Sequence, residues 1–144
     1  MIEYLEKAAS AWFVGFFPAA EIYIAVPLAM ALGLDSVSSV FWPLFGNFSP
    51  VLLIEFLYEQ LLRIPRLRSW FKRLRSERVI GYLNRWGGWF VFVMTPWTGV
   101  WVMAITLKFL GMRRRRILIT TFISIFIYAV ALVALIGFGV DWVS

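Results

Sequence analysis

The sequence predicts an all-α integral membrane protein built as an inverted repeat of two units, each a re-entrant helical hairpin followed by a transmembrane helix. Three observations carry that prediction. Of the 144 residues, 62% are hydrophobic and 15% charged, with a mean hydropathy of +0.82, far above that of a soluble globular chain. Four apolar runs are long enough to reach across a bilayer, yet the first and third carry helix breakers near their middles. The net charge of +6 is local: 13 of the 14 Lys and Arg lie between Arg63 and Arg116, so they report on topology.

Cysteine and histidine are both absent, which removes disulfides, thiol nucleophiles, imidazole bases and the usual zinc ligand sets. No enzyme, cofactor or metal site is expected. The opening MIEYLEKAASAW carries Glu3 and Glu6 with one cation, Lys7, and the apolar run behind it is too long for a signal-peptide core, so a mature N-terminus is expected.

In chain order the apolar runs are roughly 8–32, 37–62, 88–110 and 117–140, each covering about 30–40 Å as a straight helix. The first contains Pro18 and Pro27; the third contains Thr95-Pro96-Trp97-Thr98-Gly99. Two readings of these segments stand, a kinked crossing or a hairpin that enters and returns. Charge decides between them. A crossing over 88–110 would put the basic clusters 63–85 and 113–116 on opposite faces, whereas a return leaves both cytoplasmic.

An offset of 78 lays "PAAEIYIAVPLAMALGL" (18–34) on "PWTGVWVMAITLKFLGM" (96–112), pairing Pro18 with Pro96, Leu32 with Leu110 and Gly33 with Gly111. Each broken segment precedes one unbroken apolar helix. The predicted order is therefore hairpin 8–33, helix 37–62, a basic connector over 63–85, hairpin 88–111 and helix 117–140, in one membrane domain. With one crossing per copy, the second copy is inverted relative to the first. Both termini and the Gly33-Leu34-Asp35 turn then lie outside the cell. The connector places Ile64, Leu67, Trp70, Phe71 and Leu74 on one helical face and basic residues mostly on the others, as in a helix lying on an anionic inner leaflet. Nucleic acid is not an expected partner of so hydrophobic a chain.

"FPAAEIYIAVPLAMALGL" with "FGNFSPV", and "GGWFVFVMTPWTGVWVMAITLKFLGM" in the second half, make the chain resemble the small multidrug export protein family, itself similar to the DedA/VTT membrane proteins. The resemblance covers about 12–140. It implies two facing re-entrant hairpins and a transport activity, either proton-coupled export of small molecules or lipid translocation. DedA-like proteins that handle polyprenyl phosphates carry arginines around the second tip; Val93-Met94-Thr95-Pro96-Trp97-Thr98 carries none.

Glu21 is the candidate centre of a proton and substrate site, between hairpin tips formed by Pro18 and Pro27 on one side and Thr95, Pro96 and Gly99 on the other. An ionised acid at membrane depth is expensive, so it holds a proton until a cationic partner arrives. Its alternative is a bond to freed N–H groups of its own hairpin. Asn47 and Ser49 join the site or serve in packing. Trp97, Thr98 and Trp101 flank the second tip, where aromatic faces hold a cation or pack. Thr121, Ser124 and Tyr128 form a polar stripe on the last helix.

Glu59 is expected to pair with Arg63 at i,i+4, and Glu55, one turn deeper, is a candidate second proton station. Anionic head groups at the inner, plasma-membrane face are assigned to Arg63, Arg66, Arg68, Lys72, Arg73, Arg75, Lys108 and Arg113, Arg114, Arg115 and Arg116. Two crossings make a small wall, so a homodimer or larger homo-oligomer is expected, with Ala11, Gly15 and Ala19 as a small-residue ridge for contact between copies or within one. The predicted function is proton-coupled export of a hydrophobic or cationic small molecule through a cavity between the tips. A lipid or polyprenyl-phosphate flippase is the alternative, and a scaffold recruited by its basic connector is a third.

Overall fold

The computed structural model describes residues 1–18, 20–66 and 77–143. Among them are six helices and no strand: α1 (Ile2–Phe16), α2 (Glu21–Ala31), α3 (Ser36–Leu61), α4 (Glu77–Thr98), α5 (Val100–Phe109) and α6 (Arg114–Val143). Two are long and apolar enough to cross a membrane, Ser36–Gln60 in α3 and Arg114–Gly139 in α6, with mean hydropathies of 1.5 and 2.6. At 11 and 10 residues, α2 and α5 each cover only about 15–17 Å, half of a hydrocarbon core of about 30 Å.

The chain falls into two compact units, Met1–Ser49 with Ile125–Ser144, and Pro50–Ser124. In the first, α1 packs on α2, and glycine sets how closely α1 approaches α3. A Cβ at Gly46 would lie 2.0 Å from the Trp12 carbonyl oxygen, and one at Gly15 would lie 2.7 Å from that of Pro43. No side chain fits, so the two backbones touch. Gly15 of the small-residue ridge is thus used within the subunit, while Ala19 lies outside the described residues. Ala11, Ala29 and Leu34 are buried together with Trp42 against them. The Trp42 indole donates to the Tyr4 hydroxyl at 3.0 Å, and that hydroxyl meets Ser38 Oγ at 3.0 Å.

Asp35 caps α3. Its Oδ1 accepts from the N–H groups of Val37 and Ser38, both at 3.0 Å, and its Oδ2 from the Ser38 hydroxyl at 2.6 Å. These donors, the Ser38 hydroxyl foremost, hold its carboxyl below the ordinary carboxylate value, because they stabilise only the charged form.

In the second unit α4 reaches α5 across a single residue, Gly99, at φ 75°. Pro96 sits inside the last turn of α4, so the chain breaks three residues later than the proline suggests. Gly99 is the place where a positive φ costs nothing. The helix also begins earlier than the predicted hairpin: α4 starts at Glu77, so the stretch 77–85, expected as connector, is continuous with it. Residues 67–76, which hold Arg68, Lys72, Arg73 and Arg75, lie outside the described residues.

Within each unit the second short helix ends in the same way, at an offset of 78. Leu32 N–H bonds to Leu28, Gly33 to Met30 and Leu34 to Ala29; Leu110 bonds to Thr106, Gly111 to Lys108 and Met112 to Leu107. Gly33 and Gly111 carry φ values of 79° and 86°, the left-handed residue that this Schellman cap requires. The following helices start at Ser36 and Arg114. Burial follows the same register, with Ile22, Ala25, Val26 and Ala29 buried in one and Val100, Met103, Ala104 and Leu107 in the other.

Candidate functional site

The first break is built around Glu21. α1 stops at Phe16, and the Phe17 carbonyl accepts from the N–H groups of Ala20 and Glu21 at 3.1 and 3.2 Å. Glu21 then opens α2 at φ 47°, the one non-glycine residue with positive φ among the described residues. An L-residue in that region is strained by about 1–3 kcal/mol, so the surroundings hold it there. Its residue exposure is 8%. A carboxylate at that point meets the free N–H end of a helix, which favours negative charge.

Asn47 serves the same break from α3. Its side chain is buried, and Nδ2 donates to the Gly15 carbonyl at 3.0 Å, satisfying one of the acceptors that α1 leaves over where it ends. Its Oδ1 has no hydrogen-bond partner among the described residues, nor does the buried Tyr23 hydroxyl. The Tyr23 ring lies 6.2 Å from that of Tyr128. Ser49, by contrast, donates to the Phe45 carbonyl of its own helix at 2.7 Å. Glu21, Asn47, Tyr23 and Tyr128 therefore all belong to the first unit. Tyr23 was missed by sequence reasoning, because a tyrosine in an apolar run looks like packing until its hydroxyl is seen without a partner.

At the second break, Thr95 and Thr98 donate to the Val91 and Met94 carbonyls one turn back. Both hydroxyls are engaged by their own helix. The side chains of Pro96 and Trp97 lie outside the described residues. Trp101 is half-buried and lines an apolar groove of about 280 Å³ with Ile54, Tyr58, Ile105, Lys108 and Phe109.

Beside that groove is a buried ion pair that the sequence did not announce. The Lys108 ammonium bonds to Glu55 Oε2, with side-chain exposures of 10% and 2%, and also lies 5.1 Å from the centre of the Tyr58 ring. Glu55 Oε1 has no partner among the described residues. The pair corrects the assignment of Lys108 to lipid head groups: its charge is inside, on Glu55. Glu59 likewise bonds to Arg114, with Nη1 at 2.9 Å, in place of the expected Arg63. Arg114 Nε reaches to 4.0 Å from Glu55. Partners 53 and 55 residues apart leave no mark on local spacing.

Arg63, Arg66, Arg113, Arg114 and Arg115 are exposed. Arg116 is partly buried, with Nη1 unpartnered among the described residues. Thr121 and Ser124 are buried, their hydroxyls also without partners there.

Among the described residues, six helices, two of them long and apolar enough to cross a membrane, and charged groups held inside apolar surroundings are compatible with a helical membrane protein. Residues 21–131 match the family described as "Putative small multi-drug export protein", and the chain belongs to that family. No curated protein and no solved structure matches it.

Proposed function

We propose that the chain is a small secondary transporter that exports hydrophobic, cationic molecules, with Glu21 as the group that binds proton and cargo in alternation. The observation that carries this reading is Glu21 itself, a buried acid in a left-handed conformation at a helix break. A sequence keeps such a residue at such a place for its charge, since glycine would fit the backbone better. Proton release on one side and cargo release on the other give exchange without a leak.

Two re-entrant hairpins related by inversion complete the reading. It is supported by the shortness of α2 and α5 and by the caps repeated at offset 78. The charges at the two turns also agree: Asp35 follows one and Arg113 the other, as expected of an outer and an inner turn. Two crossings per chain enclose little, so a second copy completes the wall. The plasma membrane, with the arginines cytoplasmic, is the proposed location.

The test is uptake of tetraphenylphosphonium into proteoliposomes under an imposed pH gradient. Glu21→Gln abolishes gradient-driven uptake while leaving the folded protein intact in detergent; uptake equal to wild type would overturn the assignment. The chain has no cysteine, so Asp35→Cys and Arg113→Cys report topology directly. Labelling of the two from opposite faces is expected, and labelling from the same face would remove the hairpins.

A further inference from the structure

The Glu55–Lys108 pair is not required by the fold. At offset 78 the positions of Lys108 and Glu55 are Met30 and Val133, yet the short helix, its cap and its buried register are the same in both units. A buried pair contributes little net stability, because desolvation of two ions cancels most of their attraction. It therefore calls for a use.

What the pair does chemically is hold a cation. The Lys108 ammonium has a carboxylate on one side and the face of Tyr58 on another, the two interactions that recognise an organic ammonium. The groove opening against it is walled by apolar side chains, Trp101 and Phe109 among them, and holds about 280 Å³, near the small end of ligand pockets. The carboxylate retains an unused acceptor in Oε1, which a buried acid rarely leaves empty.

We infer that this groove is a binding site for a hydrophobic monocation whose charged group takes the place of the Lys108 ammonium against Glu55 and Tyr58. The inference rests on the reading of the cargo as a hydrophobic cation. Charge balance gives the mechanism. The buried carboxylate has Lys108 in close contact and Arg114 Nε only at 4.0 Å, so an incoming cation must expel the nearer one, Lys108. Lys108 is in the last turn of α5, and its four-carbon stem lets the ammonium swing toward the end of the helix near Arg113, where water or head groups receive it. The lysine is a tethered competitor that keeps the site neutral between cargoes.

The experiment uses the purified full chain, with benzyltrimethylammonium as probe. Lys108 is modified by an amine-acylating reagent, and modification is read by mass spectrometry with Lys7 as internal reference. Acylation of Lys108 is expected to rise with probe concentration and saturate; constant or falling acylation overturns the inference. In equilibrium dialysis Lys108→Met binds the probe about tenfold more tightly, since the competing state is gone. The paired variant E55Q/K108M, neutral and similar in volume, loses binding. Equal affinity in wild type and E55Q/K108M would mean that the groove takes apolar matter alone, such as a lipid chain, and would also overturn it. Glu21→Gln separates the two assignments: the Lys108 response persists in that variant if the groove site is real, even where transport is unaffected and the role given to Glu21 has failed.

Discussion

Both helix breaks turn on a positive φ, and different residues supply it. Glycine supplies the positive φ at the second, Gly99, and glutamate supplies it at the first, Glu21. Further along, one unit has Met30 and Val133 where the other has Lys108 and Glu55. The caps and the buried register thus recur with different charges, and each unit carries its own acid on a different helix. Backbone geometry sets where a residue can stand; the positions that differ at offset 78 mark where the two units differ in charge.

Transplanting residues from one unit to the other tests this separation most severely. Lys108→Met alone leaves Glu55 buried without its cation and should cost about 4 kcal/mol, measured as a fall in thermal midpoint in detergent. With Glu55→Val added, both positions become those of the first unit, and stability should return to within about 1 kcal/mol of wild type. A double variant as unstable as the single would mean that the pair belongs to the fold.

Close helix approach is the next difference. Gly46→Ala drives a methyl into the Trp12 carbonyl and should cost about 3 kcal/mol. Gly88→Ala meets only Thr120 Cγ2, at 3.4 Å, and should change stability by less than about 0.5 kcal/mol in the same assay. Equal effects would show that the α1–α3 contact yields more readily than its geometry implies.

The breaks themselves predict opposite signs. Gly99→Ala places a Cβ at φ 75° and ψ 158°, a region that glycine alone adopts readily, and should destabilise by about 2 kcal/mol, whereas Glu21→Gly relieves strain and should stabilise by about 1 kcal/mol. Transport should nevertheless be lost in the second, which separates stability from function at one residue. The smallest effect is expected at the turn before α3. Because the folded Asp35 carboxyl lies below its ordinary value of 3.8, its cap contributes above that pH and is lost as pH falls through the lower folded value. Asp35→Ala should flatten the acid limb of the stability profile; an unchanged limb would mean that Ser38 holds the turn without it.

The apolar character, the two long apolar helices and the glycine caps 78 residues apart were legible in the sequence, because hydropathy and glycine placement are local signals. The exact breaks were not. Pro96 reads as the point of interruption, yet a proline near a helix end removes a bond that the terminus was already losing, so α4 carries past it to Thr98 and stops before Gly99. Pro43 and Pro50 are likewise absorbed within α3. Of the candidate site, Glu21 was visible as a lone acid among apolar residues. The cap that Asn47 gives to Gly15, the pairing of Lys108 with Glu55 and the partnerless hydroxyl of Tyr23 were not, since they depend on which helix faces meet.

The four arginines at 113–116, the last three of which open α6, have a consequence for biogenesis. They crowd the positive end of that helix's dipole, where cations are unwelcome, and the bond from Arg114 to Glu59 offsets part of that repulsion. Glu59 leaves the ribosome 55 residues earlier. The acid that holds Arg114 is therefore already in the nascent chain when the arginines are added, and order of synthesis alone gives the start of the last helix its partner.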